Sequence, residues 1–244
     1  MITLCLLSWK RPENILNIIE QEFDGELISE VLVWNNNPDV ELVVPEGVRL
    51  IQTNGDYGLR TRFANGLFAS NECILYHDDD VHLPRLTIKA LYDEWCLDEN
   101  IGVGVAGGNS LQEGECKRCL KNGNEESHYR HYYDAVREGE AEILLGHGVM
   151  LHRKHCANFY QHHYALPAPD GASPFDSHDD IVISYTIMHH SQKPNYVINA
   201  RIEWLEDGGV AISGREPHYP QRAEMVRRCK EYFSKMGNEP SYTR

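Results

Sequence analysis

The chain is poor in basic residues. It has 23 Lys and Arg residues against 37 Asp and Glu residues, which gives a formal net charge of −14 over 244 residues. Nucleic acids and anionic membranes attract basic protein surfaces, so this charge argues against both as partners. It does not argue against a small ligand that carries phosphate, because a bound metal ion can reverse the local field.

Long hydrophobic runs are also missing. No run approaches the roughly 18 apolar residues that predict a membrane span. Residues 1–7 are mostly apolar, but they have neither a basic region nor a cleavage site, so we interpret them as a strand and not as a signal peptide. The seven cysteines lie mostly in apolar segments, which favours free thiols over a disulfide framework. We therefore expect a soluble protein of the cytoplasm.

Internal repeats and low-complexity tracts are absent, and no boundary demands a second domain. Short apolar runs at 2–7, 30–34, 47–52, 73–76, 101–106, 142–151 and 196–202 predict strands. Amphipathic stretches at 12–19, 59–70 and 84–98 predict helices between the first of them. Alternation of strands and helices is typical of a parallel sheet. The fold class that we expect is therefore α/β, with a mostly parallel, Rossmann-like central sheet and helices on both faces, in one domain spanning 1–244.

Three adjacent acids, Asp78, Asp79 and Asp80, follow the apolar run at 73–76 after a single histidine, His77. They must lie at the carboxyl end of that strand, where open α/β sheets bind their ligands. Adjacent carboxylates repel each other unless a cation joins them, and hard divalent cations prefer oxygen ligands. The triplet therefore predicts a Mn²⁺ or Mg²⁺ site, with a solvated acidic turn as the alternative. His218 is a further candidate ligand, since such sites accept imidazole, although a lone histidine is more often a solvated surface residue.

Polar residues also follow the other predicted strands. The loops after the first three strands should meet at one edge of the sheet, and they contain Ser8, Arg11, Asn35, Asn36 and Asn54. Asparagines there can bind a nucleobase or ribose, but ordinary turn chemistry is an equal alternative.

Two arginines lie at the start of the helix predicted at 59–70. Arg60 and Arg62 would oppose the helix dipole there, and an anionic ligand would explain them. Salt bridges with nearby acids are the alternative interpretation.

A second acid pair, Asp179 and Asp180, opens a predicted helix. One acid suffices as an N-cap, which leaves the other available for chemistry. Two weaker patterns lie before this pair. The irregular segment 109–140 contains Cys116 and Cys119, a weak pattern for zinc, and it could form an acceptor-side lid. Gly146 and Gly148 flank a histidine and suggest close approach of the backbone to a ligand.

The order and spacing of these motifs resemble those of GT-A glycosyltransferases that use nucleotide sugars, and in particular the exostosin-like family, glycosyltransferase family 64. The resembling pieces span most of the chain: Arg62-Phe63, the acid triplet with Leu83-Pro84, residues 146–153, Asp179-Asp180-Ile181, Lys193-Pro194, Arg222, Cys229, Phe233, Gly237 and Pro240.

The resemblance implies a retaining enzyme with a UDP-sugar donor and a carbohydrate or glycoconjugate acceptor. Mn²⁺ would be held by Asp80, with Asp78 nearer the nucleotide sugar and Asp180 beside the reacting sugar. Residues 1–108 would bind the nucleotide sugar and residues 109–244 the acceptor. The candidate site residues are then, for catalysis, Asp179, Asp180 and Arg222; for the nucleotide sugar, Ser8, Arg11, Asn35, Asn36, Asn54, Arg60, Arg62, Asp78 and Asp79; and for the metal, Asp78, Asp80 and His218.

The chain departs from the family pattern at two places. His178 stands where the family tends to have a cysteine that pairs with one in the last helix, so Cys229 is left unpaired. Val226 stands at the family's arginine position, and Arg222 or Arg227 would have to replace that arginine. An inverting GT-A enzyme with Asp180 as general base and a metal-dependent phosphohydrolase remain alternatives. A sugar-nucleotide pyrophosphorylase should have a Gly-rich loop after the first strand, and residues 8–12 contain no glycine.

Overall fold

The computed structural model describes residues 1–111, 132–166, 178–206, 208–209 and 218–237. Their helices and strands, in chain order, are β1 (Ile2–Ser8), α1 (Pro12–Glu22), β2 (Ile28–Asn35), β3 (Val48–Gln52), α2 (Thr61–Gly66), β4 (Cys73–Tyr76), β5 (Val81–His82), α3 (Arg85–Trp95), β6 (Val103–Gly104), β7 (Gly107–Ser110), β8 (Tyr133–Ala135), β9 (Gly139–Ala141), β10 (Ile143–Leu144), β11 (Val149–His152), α4 (Lys154–His163), α5 (Asp179–Ser191), β12 (Asn195–Val197), β13 (Glu203–Trp204) and α6 (His218–Lys235).

The central sheet has a parallel half and a mixed half. Its strand order is β3-β2-β1-β4-β11-β6-β12-β9. The pairings β3-β2, β2-β1, β1-β4 and β6-β12 are parallel, whereas β4-β11, β11-β6 and β12-β9 are antiparallel. The predicted parallel sheet is therefore correct for the N-terminal strands, and the second half is mixed because β11 and β9 run in the opposite direction. Two small sheets, β10-β7-β8 and β13-β5, flank the large one.

Helices cover both faces of this sheet, as predicted. Every residue of β1 and of β4 is buried, because each strand packs on both of its faces. On one face, Ile15 and Ile18 of α1 and Leu91 of α3 join the core that contains Leu4 and Leu6. On the other face lies a second core, formed by Phe63 of α2, Phe159 of α4, Ile183 of α5 and Phe233 of α6. The protein is thus a mixed α/β domain with a large central sheet.

Several predicted elements are shorter than their sequence patterns indicated. The helix predicted at 59–70 is only α2, and Leu67, which the pattern would bury, is exposed. Its end packs tightly on α4, since a Cβ atom on Gly66 would lie 2.6 Å from the Cys156 Sγ. The strands predicted at 101–106 and 196–202 shorten to β6 and β12. The strand predicted at 142–151 divides into β10 and β11 around the turn at 145–148.

The free thiols agree with the sequence analysis where the structure describes them. Cys5, Cys73, Cys96, Cys156 and Cys229 form no disulfide. The candidate zinc residues Cys116 and Cys119 and most of the predicted lid lie outside the described residues. Within the described part of the chain, no helix combines the length and apolar character that crossing a bilayer requires.

Candidate active site

The turn after β4 presents the acid triplet at the carboxyl end of the parallel strands. The backbone N–H of Asp78 donates to the Gly146 carbonyl at 2.7 Å, and the Val81 N–H donates back to the Asp78 carbonyl at 3.3 Å. A Cβ atom on Gly146 would lie 2.8 Å from both carboxylate oxygens of Asp78 and 3.0 Å from Nη1 of Arg62. The glycines around His147 had suggested that the backbone approaches a ligand closely. In the structure, Gly146 allows the backbone to approach Asp78 of the triplet.

Arg62 joins the triplet to the second acid pair. Its Nη2 lies 2.9 Å from Oδ1 of Asp78, and its Nε lies 3.1 Å from Oδ2 of Asp179. The arginine side chain is only 6% exposed. Burial raises the pKa of Asp179 to about 6, and the Arg62 guanidinium opposes that rise. One buried cation thus holds together two acidic motifs that are about a hundred residues apart in sequence.

Asp180 has its own arginine. Arg222 of α6 donates from Nη2 to Oδ2 of Asp180 at 2.6 Å and from Nε to the hydroxyl oxygen of Tyr132 at 2.7 Å. The other carboxylate oxygen accepts the Ile181 N–H at 2.8 Å. Burial acts to raise the pKa of Asp180, but the Arg222 guanidinium outweighs it and holds the pKa below its usual value. Asp180 is therefore an ionised carboxylate at neutral pH.

Asp179 and Asp180 do not divide into one N-cap residue and one free acid, as the sequence had suggested. His178 is the N-cap of α5, and its side chain makes no capping hydrogen bond. Asp179 and Asp180 both lie in the first turn, where the helix dipole stabilises negative charge. Each acid is then paired with a different buried arginine, so the cap does not explain either of them.

Asp79 and Asp80 share a third arginine. Arg11 forms an ion pair with Asp79, and its Nη1 lies 3.4 Å from Oδ2 of Asp80. Burial raises the pKa of Asp79 to about 6 despite Arg11, and burial together with the charge of Asp78 raises the pKa of Asp80. The side chains of Asp78 and Asp80 keep 33% and 20% of their surface exposed. These two carboxylates are accessible to a ligand, whereas Asp79 is committed to the protein.

The donor set of the triplet fits a hard divalent ion that is shared with a ligand. Among the described residues, the triplet does not bring three His, Cys, Asp or Glu ligand atoms within 4.8 Å of one another. Two carboxylates alone leave most positions of a six-coordinate ion to water or to phosphate oxygens, which is how Mg²⁺ commonly binds beside nucleotides. The candidate ligand His218 is the first residue of α6, and its ring packs 5.1 Å from the Tyr219 ring.

Glu22 stabilises the residues on either side of the triplet, and we did not predict this role from the sequence. Its fully buried carboxylate accepts hydrogen bonds from Nε2 of His77 at 3.0 Å, from Nδ1 of His82 at 3.1 Å and from the Leu83 N–H at 2.8 Å. Burial acts to raise the pKa of Glu22, but His77 lowers it to about 2. The pKa of His77 is raised, because the charge of Glu22 outweighs the opposing effect of burial. The histidines on either side of the triplet were the available signal.

We expect Glu22→Gln to lower the free energy of unfolding by about 2 kcal/mol, since it removes the charge that compensates buried His77. Urea denaturation at pH 6 measures this loss. The contribution of Glu22 is present above pH 4.5 and is lost as the pH falls through about 2. That of His77 is present below pH 6.5 and is lost as the pH rises through its raised pKa. The exposed Glu20 provides the control Glu20→Gln, and equal stability of the two variants would contradict the stabilising role of Glu22.

The amino-acid sequence as a whole identifies the family of this chain. The sequence profile of the Glycosyl transferase family 64 domain matches residues 2–244. The chain belongs to glycosyl transferase family 64. The order of the motifs had indicated this family. A comparison with curated proteins found none that matches.

A solved structure agrees with this family on the fold. The domain is similar to GalNAc-T7, a GT-A glycosyltransferase crystallised with UDP, GalNAc and Mn²⁺, with a TM-score of 0.58 at 11% sequence identity. The similarity covers 96% of this chain and 50% of that one, so the chain spans about half the length of its structural neighbour. At this identity the likeness shows the fold alone. It confirms the GT-A architecture predicted for this family 64 chain.

The asparagines of this family 64 domain are engaged in loop structure. Asn35 Nδ2 donates to the Val40 carbonyl at 2.8 Å, and Asn36 Nδ2 donates to the Gly58 carbonyl and to Thr61 Oγ1, both at 3.0 Å. These contacts are the turn chemistry that was the alternative to nucleotide binding. Asn54 is exposed, and its Oδ1 accepts the Tyr57 hydroxyl at 2.8 Å.

Ser8 and Arg60 differ in their surroundings. The Ser8 hydroxyl is buried at the end of β1 and has no hydrogen-bond partner among the described residues. Arg60 immediately precedes α2, and its carbonyl accepts the Tyr160 hydroxyl at 2.8 Å. Of the two arginines, Arg62 is therefore the one that the structure ties to the acidic motifs.

A cavity opens at His147, the residue that follows Gly146 in the chain. It has a volume of about 270 Å³, and its lining includes Tyr133, Arg137, His147 and Asn199. The His147 ring packs edge-on against Trp204 at 4.9 Å, and Trp204 is 61% exposed. Strand β13, which carries this tryptophan, pairs with β5 directly after the triplet. We did not predict from the sequence that these two rings would lie together at this position.

Proposed function

We propose that this glycosyltransferase transfers a sugar from a UDP-sugar to a carbohydrate or glycoconjugate acceptor, with Mn²⁺ or Mg²⁺ and with retention of configuration. The observation that carries the proposal is the pair of buried arginines, Arg62 and Arg222, which hold three carboxylates from distant parts of the chain in one charged centre. A solvated acidic turn would need neither the burial nor the arginines.

The donor side uses the carboxyl edge of the parallel strands. Asp78 and Asp80 would hold the divalent ion, which supplies Lewis-acid stabilisation of the leaving diphosphate when it is bound. Nη1 of Arg11 lies 3.4 Å from Oδ2 of Asp80. Arg11 can keep its ion pair with Asp79 when a divalent ion binds Asp80. Residues 1–108 would thus bind the nucleotide sugar. The structural neighbour was crystallised with UDP and Mn²⁺, which supports this choice of donor and ion.

Asp180 would act on the reacting sugar as an ionised carboxylate. Transfer breaks the bond from the anomeric carbon to the phosphate oxygen, which keeps the electron pair, and forms a bond to the acceptor oxygen. The acceptor proton then goes to the leaving phosphate. Positive charge develops at the anomeric carbon, and a nearby carboxylate stabilises it. Arg222 holds the pKa of Asp180 low, which makes it a better electrostatic stabiliser than a general base. This favours retention over the inverting alternative.

The acceptor would lie on the side of residues 109–244. The cavity is lined by Tyr133, Arg137 and His147, and Trp204 offers an exposed aromatic face next to it. Aromatic faces with a few polar groups suit the mixed surface of a sugar ring. We propose this cavity as the acceptor subsite. The free, buried thiols favour a reducing compartment, and we propose the cytoplasm as its location.

A donor screen tests the proposed function. Thermal unfolding is followed with UDP-, GDP- and CMP-sugars, each with Mn²⁺ and with chelator, and we expect stabilisation by a UDP-sugar only with the metal. The anomeric configuration of the transfer product, read by NMR, then decides between retention and inversion. Rapid hydrolysis of the donor without an acceptor would instead identify a phosphohydrolase.

A further inference from the structure

Three histidines meet on the side of the second core, away from the acidic motifs. His162 lies at the end of α4, and His189 and His190 lie at the end of α5. One ring nitrogen of each lies within 4.8 Å of a ring nitrogen of each of the others. Nε2 of His162 lies 3.0 Å from Nε2 of His190. Two imidazole nitrogens that bind one tetrahedral zinc ion are about 3.3 Å apart, so a small adjustment suffices.

The surroundings of the cluster prepare these rings as ligands. Nδ1 of His162 lies 3.2 Å from the Tyr232 hydroxyl, and a hydrogen bond from Nδ1–H to this oxygen would leave Nε2 free to bind a metal. Nδ1 of His189 is buried and has no hydrogen-bond partner among the described residues. Phe233 packs against His162 and His189 at ring distances of 4.9 and 5.1 Å. A metal ion would satisfy polar atoms that the protein leaves incompletely paired.

The cluster is separate from the site proposed for transfer. His190 lies ten positions after Asp180 on α5. Ten helical steps correspond to about 15 Å along the helix axis. Three nitrogen ligands also differ in kind from the carboxylates of the triplet, since imidazole suits zinc, copper and nickel, and carboxylate suits manganese and magnesium.

We propose that His162, His189 and His190 form a second metal site, which binds Zn²⁺ with a fourth position open to solvent on the exposed side of His190. The site joins α4 to α5, and Tyr232 connects it to α6. Because α5 carries Asp180 and α6 carries Arg222, zinc would fasten the helices that position this ion pair. A ligand that binds only the folded protein raises its stability, so zinc should raise the unfolding temperature.

Cobalt titration tests this site directly. Tag-free protein carrying Asp80→Ala, which removes the triplet from consideration, is titrated with Co²⁺ and followed by visible absorption. Tetrahedral Co²⁺ absorbs far more strongly than six-coordinate Co²⁺, so we expect an intense visible band that Zn²⁺ displaces. His190 is exposed, and His190→Gln should therefore leave the fold intact while weakening binding about 100-fold or more. Tyr232→Phe should weaken it about 10-fold, as is usual for an outer-shell partner.

The control is His163→Gln, because His163 neighbours the cluster in sequence but is not part of it. It should bind Co²⁺ with the affinity of the parent protein. Circular dichroism first establishes that each variant is folded. A folded His190→Gln variant that binds as tightly as its parent would overturn the proposal. So would a thiolate-to-cobalt charge-transfer band, which would assign the ion to cysteine.

Discussion

We expect the replacement of Asp180 with asparagine to lower the turnover number about 10²-fold or more, while the UDP-sugar still binds with nearly unchanged affinity. The carboxylate is ionised because Arg222 outweighs the effect of burial on its pKa. Its charge is therefore available to stabilise positive charge that develops only in the transition state. Losing such an interaction lowers kcat and leaves KM almost unchanged. Asparagine keeps the volume of the side chain and an acceptor for the Ile181 N–H.

The measurement compares kcat and KM of Asp180→Asn with those of the wild type and of Asp179→Asn. Asp179 has a pKa of about 6, so asparagine resembles a form that it partly adopts near neutrality, and we expect a stability change within about 1 kcal/mol. Thermal unfolding of each variant shows whether any lost activity reflects lost folding. Transfer by a folded Asp180→Asn variant at nearly the wild-type rate would remove Asp180 from the mechanism.

Arg62→Gln should lower the free energy of unfolding by about 3–5 kcal/mol. Removing one partner of a buried ion pair leaves an uncompensated charge, and here two carboxylates, Asp78 and Asp179, lose the same cation. The loss should shrink at acidic pH. Burial raises the pKa of Asp179 from 3.8 to about 6, so ionising this carboxyl lowers the stability of the folded protein as the pH rises through that range. Protonation of Asp179 at acidic pH therefore relieves part of the cost of losing Arg62.

Urea denaturation at pH 5 and pH 8 measures both effects. Arg60→Gln is the matched control, because it removes a charge from the residue before α2, and we expect it to cost about 1 kcal/mol or less. If Arg62→Gln and Arg60→Gln were equally stable at pH 8, Arg62 would not hold the two acidic motifs together.

The parts of the fold that could be predicted are those whose pattern is local. Strand β4 was recognisable because it is a short run of four apolar residues, which is typical of a strand that is buried on both faces. Helix α1 was recognisable from Ile15, Ile18 and Ile19, which recur at the helical period and are all buried. The motif order also indicated the family. Such features depend on neighbours within a few residues along the chain.

The parts that could not be predicted depend on contacts between distant segments. Leu67 continues the helical period after Phe63, but α2 ends at Gly66, where the chain packs closely on Cys156. Glu22 resembles an ordinary helix-terminal acid, and only the folded chain brings it to His77, 55 residues away. Likewise, the partners of Arg62 and Arg222 were not readable from spacing, because Asp78, Asp179 and Asp180 reach them from other elements.

Calorimetry of UDP binding, with Mn²⁺ and with chelator, shows whether Asp78 and Asp80 bind a metal ion together with the nucleotide. These are the two more exposed carboxylates of the triplet, so we expect the wild type to bind UDP tightly only when Mn²⁺ is present. We expect Asp80→Ala to bind UDP as weakly with the metal as the wild type does with chelator. UDP affinity that is the same with Mn²⁺ and with chelator in the wild type would show that the triplet does not bind a metal for the nucleotide.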